Sequence, residues 1–333
     1  MEKKLYGKLP TGEEIYTYTL KNSKAELTVM NYAGVIVSFI PYGTDIVGGF
    51  TTLEDYLKDN SSQGATIGRV ANRIEGAEFT MDGAIYMLPS NWRGHCLHGG
   101  PCFNKRVWEY LSETENSVTI GYYSPDGECG FPNGLMTKVT FTLDGATLII
   151  SYEAIPEGKT PIALTNHAYF NLDGYTGETI FAHKARIYAD SYTKVDETLI
   201  PTGEHPLTKG TVFDFSELRA IGPFPEGFGG YDHNFVLTPE IFKEFCGQKT
   251  GLAATVEGKK LRMNVYTDQP GVQFYTANFM KGEPDFRGGI RKIPYGAFCL
   301  EAQTEPNCVK SGIGFYDAGE IYRQTTVYEI EEI

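Results

Sequence analysis

Three stretches of the 333-residue chain carry side chains that can move protons. The stretch "LTNHAYFNL" places His167 among apolar residues, and "YGAFCLEAQTEPN" places Glu301 after a run without charge. A third stretch, "HCLHGG", adds His98 before two glycines. Imidazoles and carboxylates are the usual general acids and bases of enzymes, so these stretches are the first candidates for proton-transfer chemistry.

The residues around His167 alternate in character along the chain. Successive side chains of a strand point to opposite faces, so the alternation predicts a β-strand with one mostly apolar and one hydrogen-bonding face. Two interpretations stay open: a histidine satisfied within a polar sheet face, or the wall of a ligand cleft. The apolar face holds Ile162, Leu164, Ala168, Phe170 and Leu172, and the polar face holds Thr165, His167, Tyr169 and Asn171.

Glu301 is the candidate that a purely structural role explains least well. Alternation places Phe298 and Leu300 on one face of the predicted strand, and Glu301 with Gln303 on the other. A carboxylate in so apolar a strand is rarely buried without a partner. Burial also raises the pKa of a carboxyl group, which helps it to act as a base near neutral pH.

The His95-x-x-His98 spacing raises the question of a metal site, and strand geometry argues against one. In an extended chain, an offset of three residues points two side chains to opposite faces. Glycines at 94, 99 and 100 argue against a helix that would bring the two rings together. His98 is better explained as a single imidazole at a strand end, where the glycines let a ligand approach. A satisfied structural histidine remains an equal alternative.

Four further polar residues suit the binding of a ligand that carries hydroxyl groups. Guanidinium, carboxylate and amide groups all pair well with hydroxyls. Each also has an ordinary explanation, such as a surface arginine, a turn-forming aspartate or an edge-strand amide. These residues are Asn72 and Arg73 in "GRVANRIEGAEF", Asp232 in "EGFGGYDHNF" and Gln273 in "PGVQFYTANF".

Charge and composition exclude several classes of partner. The formal net charge of −13 disfavours binding to nucleic acid or to an anionic membrane surface. The first twenty residues lack the apolar core of a signal peptide, and no apolar run is long enough to span a membrane. The six cysteines are scattered, so we expect reduced thiols in a cytoplasmic protein.

Strand patterns separated by turn signals dominate the chain and predict an all-β sandwich or barrel in one domain, residues 1–333. "VTFTLDGATLIISYEA" predicts a β-hairpin that turns at Asp144-Gly145. Only "TLEDYLKD" and "TPEIFKEFC" suggest short helices, the second with Thr238 as N-cap and Pro239 at its first position. No nucleophile elbow, phosphate-binding loop or dinucleotide fingerprint is present, so nothing indicates a nucleotide or covalent catalysis.

Taken together, these stretches resemble the aldose 1-epimerase family, the galactose mutarotases. The resemblance implies a large β-supersandwich with few short helices and an open cleft for a free hexose such as galactose or glucose. It implies interconversion of α and β anomers by acid–base ring opening, without a metal or an organic cofactor. The matching motifs, in order, are "GRVANRI", "LHGG", "LTNHAYFNL", "VDETLIPTGE", "GGYDHNF", "PGVQFYTANF" and "CLEAQTEPN".

The resemblance also implies a role for each candidate. Glu301 resembles the general base, His167 the general acid on the other side of the same sugar bond, and His98 a second imidazole near the ring oxygen. The chain departs from the family pattern at Pro101-Cys102 after "LHGG" and at Ala302, changes that are expected to alter the cleft rim. The residues that resemble ligand-binding positions are Asn72, Arg73, Asp232 and Gln273.

Three alternatives to a free-sugar epimerase stay open. A hexose-6-phosphate 1-epimerase would need a basic cluster that the acidic chain does not reveal. A non-catalytic sugar-binding module would need neither His167 nor Glu301. A metal-dependent isomerase would use His95, His98 and His167, against the strand geometry. We expect a small-molecule aldose as the partner, no nucleic acid or membrane, and a monomer or homodimer.

Overall fold

The computed structural model describes residues 1–333 and consists mainly of antiparallel β-strands. The strands, in chain order, are β1 (Glu2–Lys8), β2 (Glu14–Lys21), β3 (Ala25–Met30), β4 (Val35–Pro41), β5 (Thr66–Ile67), β6 (Arg73–Ile74), β7 (Glu78–Met81), β8 (Ala84–Met87), β9 (Cys96–Leu97), β10 (Glu109–Glu113), β11 (Ser117–Ser124), β12 (Leu135–Asp144), β13 (Thr147–Pro156), β14 (Thr160–Pro161), β15 (Thr165–Asn166), β16 (Lys184–Ile187), β17 (Ala189–Tyr192), β18 (Arg219–Ala220), β19 (Asp232–Leu237), β20 (Phe242–Phe245), β21 (Gln248–Glu257), β22 (Leu261–Thr267), β23 (Gly271–Tyr275), β24 (Cys299–Gln303), β25 (Phe315–Tyr316) and β26 (Tyr322–Glu332).

The strands form three larger sheets and four short pairs. The main sheet follows the order β10-β11-β12-β13-β26-β22-β21-β16-β18, with β20 added beside β21. Two four-stranded sheets follow the orders β1-β2-β3-β4 and β17-β19-β23-β24. One buried apolar cluster contains Leu27 of β3, Val139 of β12 and Phe274 of β23, so the three sheets share a core. The predicted all-β architecture of packed sheets is confirmed. The short pairs are β5-β15, β6-β9, β7-β8 and β14-β25.

The predicted hairpin is present as β12 and β13, and its turn lies one residue later than expected. Asp144 pairs with Thr147, so the two loop residues are Gly145 and Ala146. Gly145 has φ +57°, a left-handed conformation that glycine adopts without steric cost.

Of the two predicted helices, one forms and one does not. Helix α1 (Leu53–Lys58) begins after Thr52, whose hydroxyl accepts a hydrogen bond from the Asp55 amide. The helix predicted at "TPEIFKEFC" is wrong, because β20 pairs there with β21 across a tight turn at Cys246-Gly247. No helix is long and apolar enough to cross a membrane. The 3₁₀-helices span Glu75–Ala77, Phe103–Lys105, Glu128–Gly130, Ile180–Ala182, Arg287–Gly289 and Cys308–Ser311.

The segment "LTNHAYFNL" is a regular strand only at β15, so the longer strand predicted there is wrong. Its backbone nevertheless forms hydrogen bonds with neighbouring segments: the Gly64 amide donates to the His167 carbonyl, and Phe170 exchanges backbone hydrogen bonds with Phe298. The predicted alternation of faces is retained. The even-numbered residues other than Asn166 enter the main core, whereas His167 and Tyr169 line a cleft.

Candidate active site

A cleft of about 330 Å³ opens where the short pair β6-β9, the His167 segment and the sheet β17-β19-β23-β24 meet. It is formed by segments that are distant in sequence, which is typical of a ligand site. Gln273 is the one predicted site residue that does not line the cleft. The predicted residues that line it are Asn72, Arg73, His98, His167, Asp232 and Glu301.

The four-stranded sheet supplies the acidic side of the cleft. Gln273 of β23 lies directly opposite Asn234 of β19 and Glu301 of β24, so the three side chains share one face. Two residues further along each strand, and so on the same face, Asp232 and Cys299 flank Tyr275 in the same way. The register of three strands therefore brings the predicted carboxylates Asp232 and Glu301 onto one surface.

The pair β6-β9 positions the second imidazole. The His98 amide donates to the Asn72 carbonyl, and the Asn72 amide donates to Nδ1 of His98 at 3.2 Å. A Cβ at Gly99, which has φ +72°, would lie 2.4 Å from the Gly68 carbonyl oxygen, so this turn requires glycine. Because a backbone amide can only donate, neutral His98 carries its proton on Nε2. Nε2 of His98 is therefore a hydrogen-bond donor.

The His98 and His95 side chains lie apart, as their three-residue offset in an extended chain predicts. His98 meets His167 edge to face, with ring centroids 5.1 Å apart. His95 instead accepts a hydrogen bond from the Gly76 amide and contacts Thr198. His95 does not line the cleft, so the histidine pair of the site is His98 with His167.

His167 and Glu301 are direct neighbours. Nε2 of His167 lies 3.7 Å from Oε1 of Glu301, and their side chains are 7% and 3% exposed. Glu301 Oε2 is buried and has no hydrogen-bond partner. The expectation that the two groups face each other from opposite sides of a sugar bond is wrong, because a gap of 3.7 Å leaves no room for a sugar ring. The two groups lie side by side in the wall of the cleft.

Burial shifts the pKa values of the two neighbours in opposite directions. It lowers the pKa of His167 from 6.5 to about 4, against the opposing effects of a hydrogen bond to the residue's own backbone and of the Asp232 and Asp59 carboxylates. It raises the pKa of Glu301 well above its ordinary value, assisted by Asp232 and opposed by Arg73. Burial, His167 and Arg73 also hold the pKa of His98 well below 6.5. The environment thus favours the uncharged form of all three groups.

Aromatic rings and a thiol hold His167 in place. Its ring stacks on Tyr169 with centroids 4.9 Å apart and meets Tyr275 edge to face. The Cys299 sulfur lies 3.6 Å from Nδ1, on the side of the ring away from Nε2. These contacts leave Nε2 directed at Glu301 and the cleft.

Arg73 and Asp232 form a buried ion pair on the cleft wall. Arg73 Nη2 lies 3.0 Å from Asp232 Oδ2, with side chains 6% and 12% exposed. Gln273 Nε2 donates to Asp232 Oδ1 at 2.7 Å, and Asn72 Oδ1 accepts from Arg73. Gln273, expected to contact the ligand, does not line the cleft, and its amide points to the Asp232 carboxylate, which does.

Sequence reasoning missed the basic residues of the cleft. Lys292 pairs with Asp59 at 3.5 Å, and both are about 95% buried, whereas Lys58 pairs with exposed Glu54. No short motif signalled these lysines. Lys58 ends helix α1 and pairs within it, whereas Lys292 lies in a loop and its partner Asp59 is remote in the chain. Trp92 and Phe279 also meet at the rim with ring centroids 6.1 Å apart. The missed lining residues with charge are Lys58, Asp59, Lys281, Glu283 and Lys292.

The His98, His167 and Glu301 ligand atoms all lie within 4.8 Å of one another, a set that zinc accepts in other proteins. Histidines that bind metals usually donate their other ring N–H to an acceptor. Here Nδ1 of His98 faces the Asn72 N–H, and Nδ1 of His167 faces the Cys299 thiol. The surroundings therefore favour Nε2–H of His98 as a donor to a ligand over metal coordination.

Comparison with known proteins adds the identity of the chain's relatives. The aldose 1-epimerase family profile matches residues 16–329. Galactose mutarotase from Homo sapiens is 40% identical over 92% of this chain and 90% of its own length. Aldose 1-epimerase from Escherichia coli K12 is 32% identical over 91% and 94%. The crystal structure of galactose 1-epimerase from Lactobacillus acidophilus, 26% identical, matches with a TM-score of 0.86 over 99% of this chain and 98% of its own, which confirms the mutarotase-like fold.

Proposed function

The chain belongs to the aldose 1-epimerase family and interconverts the α and β anomers of aldoses, and we propose that Glu301 and His167 are the acid–base pair of this reaction. The observation that supports the pair is the 3.7 Å separation of the buried atoms Nε2 and Oε1, both in residues that line the cleft. The anomeric oxygen and the ring oxygen of an aldose are bonded to the same carbon, C1. Two neighbouring groups on one side can therefore reach both oxygens.

Ring opening needs one proton removed and one proton supplied. Glu301 takes the proton of the anomeric hydroxyl, and His167 gives a proton to the ring oxygen as the C1–O5 bond breaks. Rotation about C1–C2 then presents the other face of the aldehyde. At reclosure the two groups exchange roles, so the enzyme returns to its starting protonation state. Each positioned group contributes about 10²- to 10⁴-fold to the rate.

The pair shares one proton, and sugar binding moves it. In the free enzyme, burial favours the neutral form of both groups: Glu301 carries the proton, and His167 is a neutral imidazole. A bound sugar donates its anomeric O–H to Glu301 and accepts from His167 at the ring oxygen. Hydrogen bonds to a charged form favour that form, so the sugar stabilises carboxylate with imidazolium. That ionisation state is the one that opens the ring.

His98 and the Arg73–Asp232 pair are proposed to orient the sugar. Neutral His98 donates its Nε2–H to a sugar oxygen beside the reacting carbon. Arg73 and Asp232 bind hydroxyls, with Asn72 beside them, and Gln273 acts through Asp232. Lys58 and Lys292 are paired with carboxylates. Lys281 and Glu283 add one charge of each sign to the lining, so the cleft wall is close to electrically balanced and suits a neutral sugar.

The relatives named as galactose mutarotases suggest galactose, with glucose as a second free hexose, for the substrate. The six cysteines are free thiols, which is typical of proteins in a reducing compartment, and we propose a cytoplasmic location. A monomer or homodimer and a lack of nucleic-acid or membrane partners remain predictions.

Polarimetry tests the proposed function. The optical rotation of freshly dissolved α-galactose, α-glucose and α-glucose 6-phosphate is followed with and without the protein, in the presence and absence of a chelator. We expect chelator-insensitive acceleration that is larger for the two neutral sugars. Rates equal to those of buffer, or a preference for the phosphorylated sugar, would contradict the proposal.

A further inference from the structure

Lys292 and Asp59 form a second buried ion pair in the wall of the cleft, in addition to Arg73 and Asp232. Nζ of Lys292 lies 3.5 Å from Oδ1 of Asp59, and the two side chains are 6% and 5% exposed. The proposed acid–base reaction gives this pair no role. Lysine is rarely buried to this extent, because removing its ammonium group from water is costly unless partners replace the water. The partners of Nζ therefore indicate what the pair does.

The ammonium group of Lys292 has more N–H donors than the protein uses. It carries three donors, and its contact with Asp59 is longer than the ~3.2 Å limit of a normal N–H···O hydrogen bond. Phe50 covers another side, with its ring centroid 5.2 Å from Nζ, and offers no oxygen. Asp59 does not depend on this contact, since its carboxylate accepts hydrogen bonds from the Ser61 amide, the Ser61 hydroxyl and the Gln63 amide at 3.0, 2.8 and 3.3 Å. Lys292 thus has donors available for a ligand in the cleft that it lines.

Tyr169 shows where this pair lies relative to the reacting groups. Its ring stacks on His167 with centroids 4.9 Å apart, and its hydroxyl donates to the Ser61 carbonyl at 3.2 Å. The Ser61 amide and hydroxyl in turn donate to the Asp59 carboxylate. Tyr169 therefore lies between His167 and the loop that carries Asp59. The ammonium group of Lys292 is thus placed away from the acid–base pair and faces the end of the sugar opposite to C1.

We propose that Lys292 donates a hydrogen bond to O4 of the sugar and sets the preference between galactose and glucose. C4 is the atom directly across the pyranose ring from C1, which the reaction holds at Glu301 and His167. Asp59 balances the charge of the ammonium group, so the pair suits a neutral hydroxyl better than an anionic group. Galactose and glucose differ only in the configuration at C4, so a donor fixed beside O4 distinguishes them. The choice of O4 rests on the proposed roles of Glu301 and His167.

The experiment measures kcat and KM for the wild type and Lys292→Met with galactose, glucose, 4-deoxygalactose and 6-deoxygalactose. Methionine keeps an unbranched side chain and removes the charge. The matched control is Lys243→Met, because Lys243 also pairs with a glutamate, Glu329 at 2.8 Å, and lies over an aromatic ring, that of Tyr266, but does not line the cleft. Its KM values should equal those of the wild type for all four sugars.

We expect Lys292→Met to raise KM for galactose about ten-fold with kcat little changed, since a hydrogen bond from a charged donor is lost. Removal of O4 should raise KM of the wild type by a similar factor and should add nothing in Lys292→Met. Removal of O6 should have the same effect in both proteins. The wild-type preference between galactose and glucose should become smaller in Lys292→Met.

The coupling to O4 separates ligand binding from a structural role. If Lys292 only holds its loop, Lys292→Met raises KM by the same factor for galactose and for 4-deoxygalactose, and the proposal is overturned. An unchanged KM, an unchanged preference between the epimers, or coupling to O6 in place of O4 also overturns it. If Lys292→Met does not fold, Lys292→Met combined with Asp59→Asn leaves no unpaired charge and is tested with the same sugars.

The wild type alone also provides a test, because an equal KM for galactose and 4-deoxygalactose overturns the contact with O4. Titration calorimetry with the same sugars measures Kd without turnover. A protein that binds galactose but does not accelerate mutarotation contradicts the proposed function. In that case the Kd values of the wild type and Lys292→Met for galactose and 4-deoxygalactose still decide whether Lys292 contacts O4.

Discussion

Nε2 of His167 lies 3.7 Å from Oε1 of Glu301, and neither side chain is more than 7% exposed. Burial lowers the pKa of the His167 imidazole and raises the pKa of the Glu301 carboxyl, so the uncharged form of both groups is favoured in the folded protein. The burial of these two neighbours therefore bears on both the proposed chemistry and the dependence of folding stability on pH.

Removing either member of the pair should nearly abolish mutarotation. In Glu301→Gln, an amide of the same shape cannot take the anomeric proton, and in His167→Asn no group supplies a proton to the ring oxygen. We expect kcat to fall by about 10² to 10⁴ in each, with KM for galactose little changed. Steady-state polarimetry measures both constants.

The matched control is His205→Asn. His205 also meets a glutamate, with Nε2 2.7 Å from Glu305 Oε1, yet its side chain is 41% exposed and does not line the cleft. Activity should stay at the wild-type level. If Glu301→Gln kept full activity, the assignment of the base would be wrong.

Glu301→Gln should also change how stability depends on pH. Between pH 4.5 and 6.5, unfolding lets His167 bind a proton and makes Glu301 release one, so their contributions cancel. In Glu301→Gln only His167 remains. Its lowered folded pKa means that stability is lost as the pH falls from 6.5 towards about 4. The free energy of unfolding should depend on pH more steeply than in the wild type, by about 1.4 kcal/mol per pH unit.

Urea denaturation at several pH values between 4.5 and 6.5 measures the slope of the free energy of unfolding against pH. His167→Asn should shift it in the opposite direction, because Glu301 alone has a raised folded pKa and its contribution is lost as pH rises. The double variant should return to the wild-type slope. Parallel curves for the wild type and Glu301→Gln would show that folding does not raise the pKa of Glu301.

Cys299 should affect catalysis through His167. Its sulfur lies 3.6 Å from Nδ1, so a thiol that donates there places the neutral ring's proton on Nε2, towards Glu301. Cys299→Ala removes the donor, and we expect about a ten-fold loss of kcat with KM unchanged. Cys299→Ser keeps a donor and should recover most of the rate.

If Cys299 had a purely structural role, the expected results would differ. Loss of packing would lower the melting temperature in both variants and would not separate serine from alanine in kcat. The ¹⁵N shifts of the His167 ring decide the matter directly, since an unprotonated Nδ1 is expected in the wild type. A protonated Nδ1 would contradict the proposed orientation.

The sequence predicted individual strands and their faces better than it predicted contacts between them. Period-two alternation correctly separated His167 from the core-facing residues of its segment, and it placed Glu301 and Leu300 on different faces of their strand. This signal is local to each segment. The contacts Arg73–Asp232 and Cys299–His167 join residues 159 and 132 positions apart, and no local pattern encodes such a distance. The wrong helix at "TPEIFKEFC" failed for a related reason, since pairing with β21 overrode its helical spacing.

Long-range register also determines where Gln273 lies relative to the cleft. Its alternation correctly put it on the same face as Tyr275, but only the pairing of β19, β23 and β24 shows that Asp232 lies between its amide and the cleft. Motif resemblance could identify the residue, whereas its distance from the ligand depends on the three-strand register.

Gln273 should therefore act on sugar binding only through Asp232. Its Nε2 donates to Asp232 Oδ1 at 2.7 Å, while Oδ2 of the same carboxylate pairs with Arg73. Loss of the amide leaves the carboxylate with one anchor fewer, so Gln273→Ala should raise KM for galactose by about ten-fold. Asp232→Ala should raise it further, because the proposed hydroxyl acceptor itself is gone. In the double variant, Gln273→Ala should add nothing, since the group that it orients is absent. KM values for the four proteins in this cycle measure the coupling. If the two effects instead multiply, Gln273 contacts the sugar independently, and the cleft must open further than the structure shows.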